Sequence, residues 1–282
     1  MTPLRQRMIN QMCLRGLSEH TQTAYLYQIT QLARYYRRSP ESLSARELQH
    51  YVLYLMQERH WSFSSCRQFV HAARFLYRQV LHGELGYLDL PHPRKSQRLP
   101  DLLYPDEIKA MVQHCDDLKY RTAIVLAYST GIRISELINL SIDDLDGAHQ
   151  QIKIRQGKGH KDRYVVFSEG LKTQLRRYWY DYRPTCYLIY GRHKTDPVCA
   201  KSLRTALKRA AVEAHIYKCV RFHSLRHAYA THQLQAGMPL NRLQGLLGHR
   251  AIATTLRYLH WVASMTPQRL NSEDLVGSWI SS

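Results

Sequence analysis

Residues 221–237 read RFHSLRHAYATHQLQAG, a segment with helical apolar spacing that also carries several basic side chains. His223, Arg226, His227 and His232 all fall within ten residues of the chain. Three explanations compete for so many imidazoles and a guanidinium on one helix: a metal site, a binding site for an anion such as a phosphate group, or a polar helix face without a ligand.

A metal site is the weakest of these explanations. His223 and His227 stand four residues apart, but the usual helical zinc motif has a glutamate beside the first histidine, where this chain has Ser224. No Asp or Glu occurs between Glu213 and Glu273, so no carboxylate ligand supplements the two imidazoles. We therefore predict that the chain uses neither a metal nor another cofactor.

An anion fits the same segment better. Arg226 follows His223 by three residues, so a helix brings both side chains to one face. The planar fork of an arginine matches two phosphate oxygens, and an imidazole can donate a hydrogen bond from either ring nitrogen. A His-x-x-Arg pair alone is weak evidence, so its meaning depends on the motifs that accompany it.

The charge of the whole chain also indicates an anionic partner. Its 282 residues include 40 Lys and Arg against 22 Asp and Glu, which gives a formal net charge of +18. Residues 1–98 carry +8 of this charge and the remainder carries +10, which favours two positive surfaces over one basic tail. Nucleic acid is the first candidate for a partner, and an acidic membrane surface is the second.

Other features of the composition indicate where the protein acts. The chain contains no apolar run of about 18 residues, so we expect no membrane span, and its first residues lack the apolar core of a secretion signal. The six cysteines are far apart and form no Cys-x-x-Cys pair, which is typical of reduced cysteines in a cytosol. We predict a cytoplasmic protein without a disulfide framework.

Periodicity and composition divide the chain into two domains. Residues 1–90 have the pattern of several helices, with Ser18 as an N-cap and a capping box formed by Ser44 and Glu47. The stretch that follows is rich in proline and glycine, and we assign residues 91–103 to a linker. The first third of the chain is therefore predicted to be a helical domain.

Residues 104–282 are predicted to form the second domain. A helix opens with Pro105 in its first turn, and Gly131 ends a buried helix. Two alternating segments, Gln151–Arg155 and Asp162–Phe167, predict an antiparallel β-hairpin. Helices fill the rest, so the predicted fold class is mainly α with one small antiparallel β-hairpin or sheet.

Three further motifs accompany the histidine-rich helix. STGIRISELINL places Arg133 just beyond the helix that Gly131 ends. QGKGHKDR places Lys158 between two glycines at the tip of the hairpin, where its ammonium group could reach a ligand. LLGHRAIATTLRYLH places His249 after a glycine and Tyr258 nine residues later, inside the next helix.

The whole set of motifs resembles that of one enzyme family. In order along the chain it consists of TGIRISEL, GKGHKDR, HSLRHAYATH, LGH and TTLRY, as in the tyrosine recombinases, the phage-integrase family that includes the Xer-type resolvases. Each motif alone is weak, but the ordered set is specific and extends over residues 99–260. The catalytic positions of the family fall on Arg133, Lys158, His223, Arg226, His249 and Tyr258.

The resemblance implies a site-specific DNA recombinase that cuts and rejoins DNA without metal or ATP. Tyr258 would form a 3′-phosphotyrosyl intermediate, while the two arginines would neutralise the non-bridging phosphate oxygens. Lys158 would protonate the departing 5′-oxygen. His223 would assist the loss of the tyrosine proton or hold the phosphate, and His249 would donate a hydrogen bond to a phosphate oxygen.

It also implies how the two domains would act together. The N-terminal domain would be the DNA core-binding domain of the family and the second its catalytic domain, and both would close around double-stranded DNA at a specific recombination site. Four protomers would assemble on two such sites as a tetramer. The C-terminal tail, which includes residues 270–280, would dock on a neighbouring protomer or pack within its own chain. A mobile element is the favoured setting, and resolution of chromosome dimers is the alternative.

Other functions remain open from the sequence. One is a DNA-binding regulator of the same descent that does not cleave, and another is a type IB topoisomerase, which uses a similar set of residues. An RNA-binding protein is poorly supported, because the chain has no paired aromatic strand motif. We further expect His227 and His232 to support the fold, and Glu136 to orient a basic residue.

Overall fold

The computed structural model describes residues 2–83, 101–155 and 162–265. The chain divides into two compact units, Met1–Gln97 and Arg98–Ser282. Each unit has a hydrophobic core of its own, which accounts for its separate compactness. The linker predicted at residues 91–103 lies largely outside the described residues, and the domain boundaries drawn from the sequence remain predictions.

Within residues 2–83 the first unit consists of α1 (Pro3–Leu14), α2 (Glu19–Tyr36), α3 (Ala45–Gln57) and α4 (Phe63–Phe75), with a 3₁₀ turn at Pro40–Ser42 and a π-helical turn at Leu76–Val80. Two predicted helix starts are confirmed. Ser18 Oγ accepts the Thr21 amide at the start of α2, and Ser44 and Glu47 form a reciprocal capping box at the start of α3. These caps satisfy amide groups that have no partner within the helix.

The described helices of the second unit are α5 (Pro105–Gln113), α6 (Leu118–Thr130), α7 (Ile134–Ile138), α8 (Glu169–Tyr182), α9 (Ala200–Glu213), α10 (Phe222–Gln235), α11 (Leu240–Leu247) and α12 (Ile252–Met265). The core is built around α6, which contacts α8, α9 and α10. Apolar side chains are therefore buried on several sides of α6 rather than along one stripe. A smaller apolar cluster joins α10, α11 and α12.

The second unit as it is described also has a 3₁₀ turn at Ile142–Asp144 and three short strands: β1 (Leu145–Asp146), β2 (Gln151–Ile154) and β3 (Arg163–Val166). They form an antiparallel sheet in the order β1-β2-β3, with Ile152 opposite Val165 and both side chains buried. The predicted hairpin is confirmed as β2 and β3. β1 was not predicted, because two residues are too few to show an alternating pattern.

The end of α6 has a conformation that requires glycine. Gly131 has a φ of +63°, in the left-handed region, and a Cβ added there would lie 2.3 Å from the Tyr229 ring of α10. Any larger residue would therefore be strained by its backbone and would also push α10 away. Glycine at this position lets its own carbonyl, at the end of α6, approach α10, where the candidate site lies.

Two global features of the described residues bear on the predictions. None of their helices is long and apolar enough to cross a bilayer. All six cysteines fall within the described ranges, and each carries a free thiol.

Candidate active site

Arg226 lies at the centre of a group of polar side chains from several elements of the second unit. Only 1% of this residue is exposed. Its Nη1 donates to the Gly131 carbonyl at 2.7 Å, and its Nη2 donates to the Leu247 carbonyl at 2.6 Å. These carbonyls end α6 and α11, where C=O groups lack partners within the helix and the helix dipole is negative. Two helix ends therefore hold the buried guanidinium in one orientation.

His249 is fixed beside this guanidinium by hydrogen bonds at both ring nitrogens. Its Nε2 lies 3.1 Å from Arg226 Nη2, and since a guanidinium only donates, Nε2 accepts. The ring proton is then on Nδ1, which donates to Thr255 Oγ1 at 2.9 Å. Burial, followed by the charge of Arg226, lowers the pKa of His249 to about 4. The imidazole is therefore neutral near pH 7.

Tyr258 projects from α12 into the same group and is only 3% exposed. Its hydroxyl oxygen lies 3.1 Å from His227 Nδ1, and its ring meets that of Trp261 edge-on with the centroids 5.0 Å apart. Burial raises the pKa of the phenol above 10, against the opposing charge of Arg226. The resting side chain is therefore a neutral phenol with its oxygen next to an imidazole and a guanidinium.

Glu136 binds two arginines of the site. It accepts from the backbone amide and Nη1 of Arg133, both at 2.8 Å, and from Nη1 and Nη2 of Arg163 at 3.0 and 2.8 Å. Burial of the carboxyl opposes its ionisation, but the hydrogen bonds and charges of Arg163 and Arg133 outweigh this effect and lower the pKa of Glu136 to about 2. The expectation that Glu136 orients a basic residue is confirmed.

His223 presents a second imidazole in the first turn of α10. It is exposed, and its ring centroid lies 4.1 Å from that of His227, one helical turn further along. Partial loss of hydration, followed by the charges of Arg226 and Arg133, lowers the pKa of His223 below 6.5. His223 thus places a neutral imidazole at the solvent edge of the group.

Positive charge exceeds negative charge in this group. Among the described residues Glu136 pairs with Arg133 and Arg163, whereas Arg226 is hydrogen-bonded to two carbonyls, a neutral imidazole and the Tyr258 phenol. Burial, followed by the charge of Arg133, lowers the pKa of Arg226 to about 10, which leaves the guanidinium charged near pH 7. Such a group attracts an anion. Across the described ranges, no cluster of three or more His, Cys, Asp or Glu could hold a metal ion.

Five of the six predicted positions come together in this site: Arg133, His223, Arg226, His249 and Tyr258. The sixth, Lys158, lies outside the described residues, in the segment between β2 and β3. The chemical roles assigned to all six remain predictions.

The two histidines that were expected to support the fold have different surroundings. His232 does support it, since its Nδ1 lies 2.9 Å from the hydroxyl of Tyr128 on α6. For His227 the expectation is incomplete, because its Nδ1 contacts the hydroxyl of Tyr258. Its spacing of four residues from His223 was the available signal, since this spacing places both on one face of α10.

Two more residues of the site were present in the motifs but were not singled out. Arg163, the last residue of GKGHKDR, joins β3 to Glu136 and also donates from Nε to the Leu246 carbonyl at 2.8 Å. Thr255, in TTLRY, is fully buried and holds Nδ1 of His249. Both act through other side chains, and nothing in a single sequence separates such residues from ordinary packing.

Two family models match the chain. The model of the phage integrase family matches residues 101–264. The model of the phage integrase N-terminal SAM-like domain matches residues 4–87. Together they extend over most of both units.

Individual proteins are similar over nearly the same length. The Sinorhizobium fredii protein y4qK is 38% identical over 260 residues, which cover 92% of this chain and 84% of that protein. The tyrosine recombinase XerC of Staphylococcus saprophyticus is 31% identical over 263 residues, which cover 86% of this chain and 87% of that protein. Among solved structures, the XerH site-specific recombinase bound to a palindromic difH substrate in a post-cleavage complex has a TM-score of 0.71 at 18% identity, covering 89% of this chain and 79% of that one. The predicted fold is confirmed.

Proposed function

The chain belongs to the phage integrase family and is a tyrosine recombinase, an enzyme of site-specific DNA recombination, and we propose that its nucleophile is Tyr258. In this proposal the tyrosine cuts and rejoins DNA through a 3′-phosphotyrosyl link. Arg133, Arg226 and His249 bind the scissile phosphate, and His223 either binds it as well or assists the loss of the tyrosine proton. These roles are those of the matching positions in the family, and the proximity of the five described side chains supports them.

The observation that carries the proposal is the pairing of a buried phenol with a guanidinium that forms no ion pair with a carboxylate among the described residues. Tyr258 is hydrogen-bonded to Arg226, whose other partners among the described residues are two carbonyls and a neutral imidazole. A buried charge without a counter-ion is costly, and it is stabilised when an anion binds. A phosphodiester provides that anion and places its phosphorus next to the phenol oxygen.

The chemical step balances without a cofactor. As the Tyr258 oxygen bonds to phosphorus, the bond to the 5′-oxygen breaks. The phenol proton passes to the neutral imidazole of His223 or to water at the solvent edge of the site, and the 5′-oxygen takes a proton from the Lys158 ammonium group. The energy of the phosphodiester is kept in the phosphotyrosyl link, so the 5′-hydroxyl of another strand can reverse the step without ATP. Fixed donors such as Arg133 and Arg226 typically stabilise a transition state of this kind by about 3 to 4 kcal/mol each.

Lys158 is the proposed general acid for the departing 5′-oxygen. It lies outside the described residues, so its support is the motif GKGHKDR and its position in the chain. β3 begins at Arg163, five residues later, and Arg163 bonds to Glu136 within the site.

Double-stranded DNA is the proposed substrate, bound at specific recombination sites. The net charge of +18 supports it, as does the likeness to XerH, a recombinase whose structure contains its DNA substrate. The proposal extends to a core-binding domain at residues 1–90, a catalytic domain at residues 104–282 and a tetramer on DNA. It places the protein in the cytoplasm of a cell that carries a mobile element.

Covalent trapping tests the proposal. Gel shifts with duplexes from the ends of the element that carries the gene first identify a bound site. Nicked duplexes of that site are then incubated with the protein without metal or ATP, and the products are separated under denaturing conditions. We expect a slower protein–DNA band that is lost in Tyr258→Phe and retained in Tyr128→Phe, a matched tyrosine of α6 outside the site.

Two results would count against this assignment. Specific binding of a duplex with no covalent band would favour a regulator that does not cleave. A covalent band in Tyr258→Phe would show that another residue is the nucleophile.

A further inference from the structure

We infer that His227 is a positioning residue for the nucleophile: it accepts the phenol proton of Tyr258 in a hydrogen bond and so fixes the direction of the phenol oxygen. The inference rests on the proposed function of Tyr258. It adds to the site a residue outside the six positions that the family motifs identify.

The His227 ring is held from several sides. Its Nδ1 lies 3.1 Å from the Tyr258 hydroxyl. Trp261 meets both rings edge-on, with 5.0 Å between the centroids in each case. His223 packs on His227 with the centroids 4.1 Å apart. Because these contacts restrict the imidazole, its Nδ1 provides a fixed reference point for the phenol.

The direction of the hydrogen bond follows from what the nucleophile needs. If His227 donated, its N–H would occupy a lone pair of the Tyr258 oxygen and leave the phenol proton on the side open to the phosphate. If the phenol donates to Nδ1, the lone pairs of the oxygen stay available to phosphorus and to Arg226. The arrangement competent for attack therefore has the His227 ring proton on Nε2.

The acid–base properties of the pair indicate orientation rather than deprotonation. Burial, followed by the charges of His223 and Arg226, lowers the pKa of His227 to about 3. Burial raises the pKa of the Tyr258 phenol above 10. An imidazole so weakly basic does not remove the proton of such a phenol in the resting site, but it remains a good hydrogen-bond acceptor.

The same helix supplies a matched control. His232 of α10 also has its Nδ1 at a tyrosine hydroxyl, 2.9 Å from that of Tyr128. It stands nine residues after His223, which at 100° per residue is about the opposite face of the helix. The two pairs, His227 with Tyr258 and His232 with Tyr128, share their chemistry and differ in whether the tyrosine belongs to the site.

Single-turnover cleavage of the nicked duplex tests the inference with His227→Asn, His227→Ala and His232→Ala in the full chain. The side-chain oxygen of Asn occupies the place of Nδ1 and can accept the phenol proton, whereas Ala cannot. We expect the Asn variant to cleave within about threefold of the wild-type rate. The Ala variant should cleave about 10- to 100-fold more slowly at unchanged DNA affinity, and His232→Ala should keep the wild-type rate.

Other outcomes would overturn the inference. Equal losses in His227→Asn and His227→Ala would mean that His227 takes the proton, since Asn cannot do so. Wild-type rates in both would mean that His227 only packs. If the Ala variant does not fold, His227→Gln replaces it, because its amide extends to the place of Nε2 and should fail where Asn succeeds. A covalent band in Tyr258→Phe would instead refute the proposed function, whatever the His227 variants do.

Discussion

Replacement of Glu136 with glutamine tests whether the arginines of the site depend on one carboxylate. Gln keeps the size of the side chain but removes the negative charge that faces Arg133 and Arg163. The Glu136 side chain is only 7% exposed, so water has little access to the two guanidiniums at the position of the lost carboxylate charge. We expect Glu136→Gln to fold less stably and to cleave DNA more slowly, because both guanidiniums lose their common partner.

The size of the stability loss follows from the pKa of Glu136, which folding lowers from 4.5 to about 2. At 1.36 kcal/mol for each pKa unit, the ionised carboxylate contributes about 3 kcal/mol to the free energy of unfolding. This agrees with the roughly 3 to 5 kcal/mol lost when one partner of a buried ion pair is removed. Because the folded pKa is the lower one, the contribution is complete above pH 4.5 and is lost as the pH falls from 4.5 toward 2.

Urea unfolding at a series of pH values, followed by tryptophan fluorescence, measures this contribution. Three of the four tryptophans belong to the second unit, so the signal reports mainly on the unit that contains Glu136. The gap between wild type and Glu136→Gln should be about 3 kcal/mol near pH 7 and should narrow below pH 4.5. The control is Glu169→Gln, whose carboxylate is 68% exposed and should contribute under about 1 kcal/mol. A gap that is absent near pH 7, or that stays constant into acid, would refute the reasoning.

Two further substitutions test how the site is held. Gly131→Ala places a Cβ 2.3 Å from the Tyr229 ring at a φ of +63°, so we expect a loss of at least about 2 kcal/mol in urea unfolding. Gly237→Ala, at a φ of +85° with nothing within 4 Å, should show the smaller backbone strain alone, and equal losses in both would contradict the steric argument. Thr255→Val removes the hydroxyl at Nδ1 of His249 and should slow single-turnover cleavage about tenfold at unchanged DNA affinity, whereas an unchanged rate would contradict that role.

Two positions of the site could be predicted from local signals, because they follow helix ends that short motifs mark. A glycine with a left-handed backbone ends α6 shortly before Arg133, and another ends α11 directly before His249. Carbonyls at the same two helix ends also accept hydrogen bonds from Arg226, and these two contacts could not be predicted. Arg226 is 95 residues from Gly131 and 21 residues from Leu247 along the chain, and no local pattern records such contacts.

The different surroundings of His227 and His232 on α10 were partly predictable from the sequence. At 100° per residue, His227 stands about 40° from His223 on the helix and His232 about 180° from it, so different environments follow from spacing alone. Which face meets α12 does not follow, because α10 buries side chains around much of its circumference. Because α10 is only weakly amphipathic, its sequence pattern does not show which face points into the site. The packing of the neighbouring helices determines that face.

The hydroxyl of Thr255 reconciles the resting state of His249 with its proposed role. In the structure Nε2 of His249 accepts from Arg226, so the ring proton is on Nδ1 and points at Thr255. To donate to a phosphate oxygen, His249 must carry its proton on Nε2 instead. A threonine hydroxyl permits both states, because it can accept from Nδ1–H or donate to an unprotonated Nδ1. A phosphate oxygen that replaces His249 as the partner of Arg226 would then be bound by both side chains, and the change would require no movement of the ring.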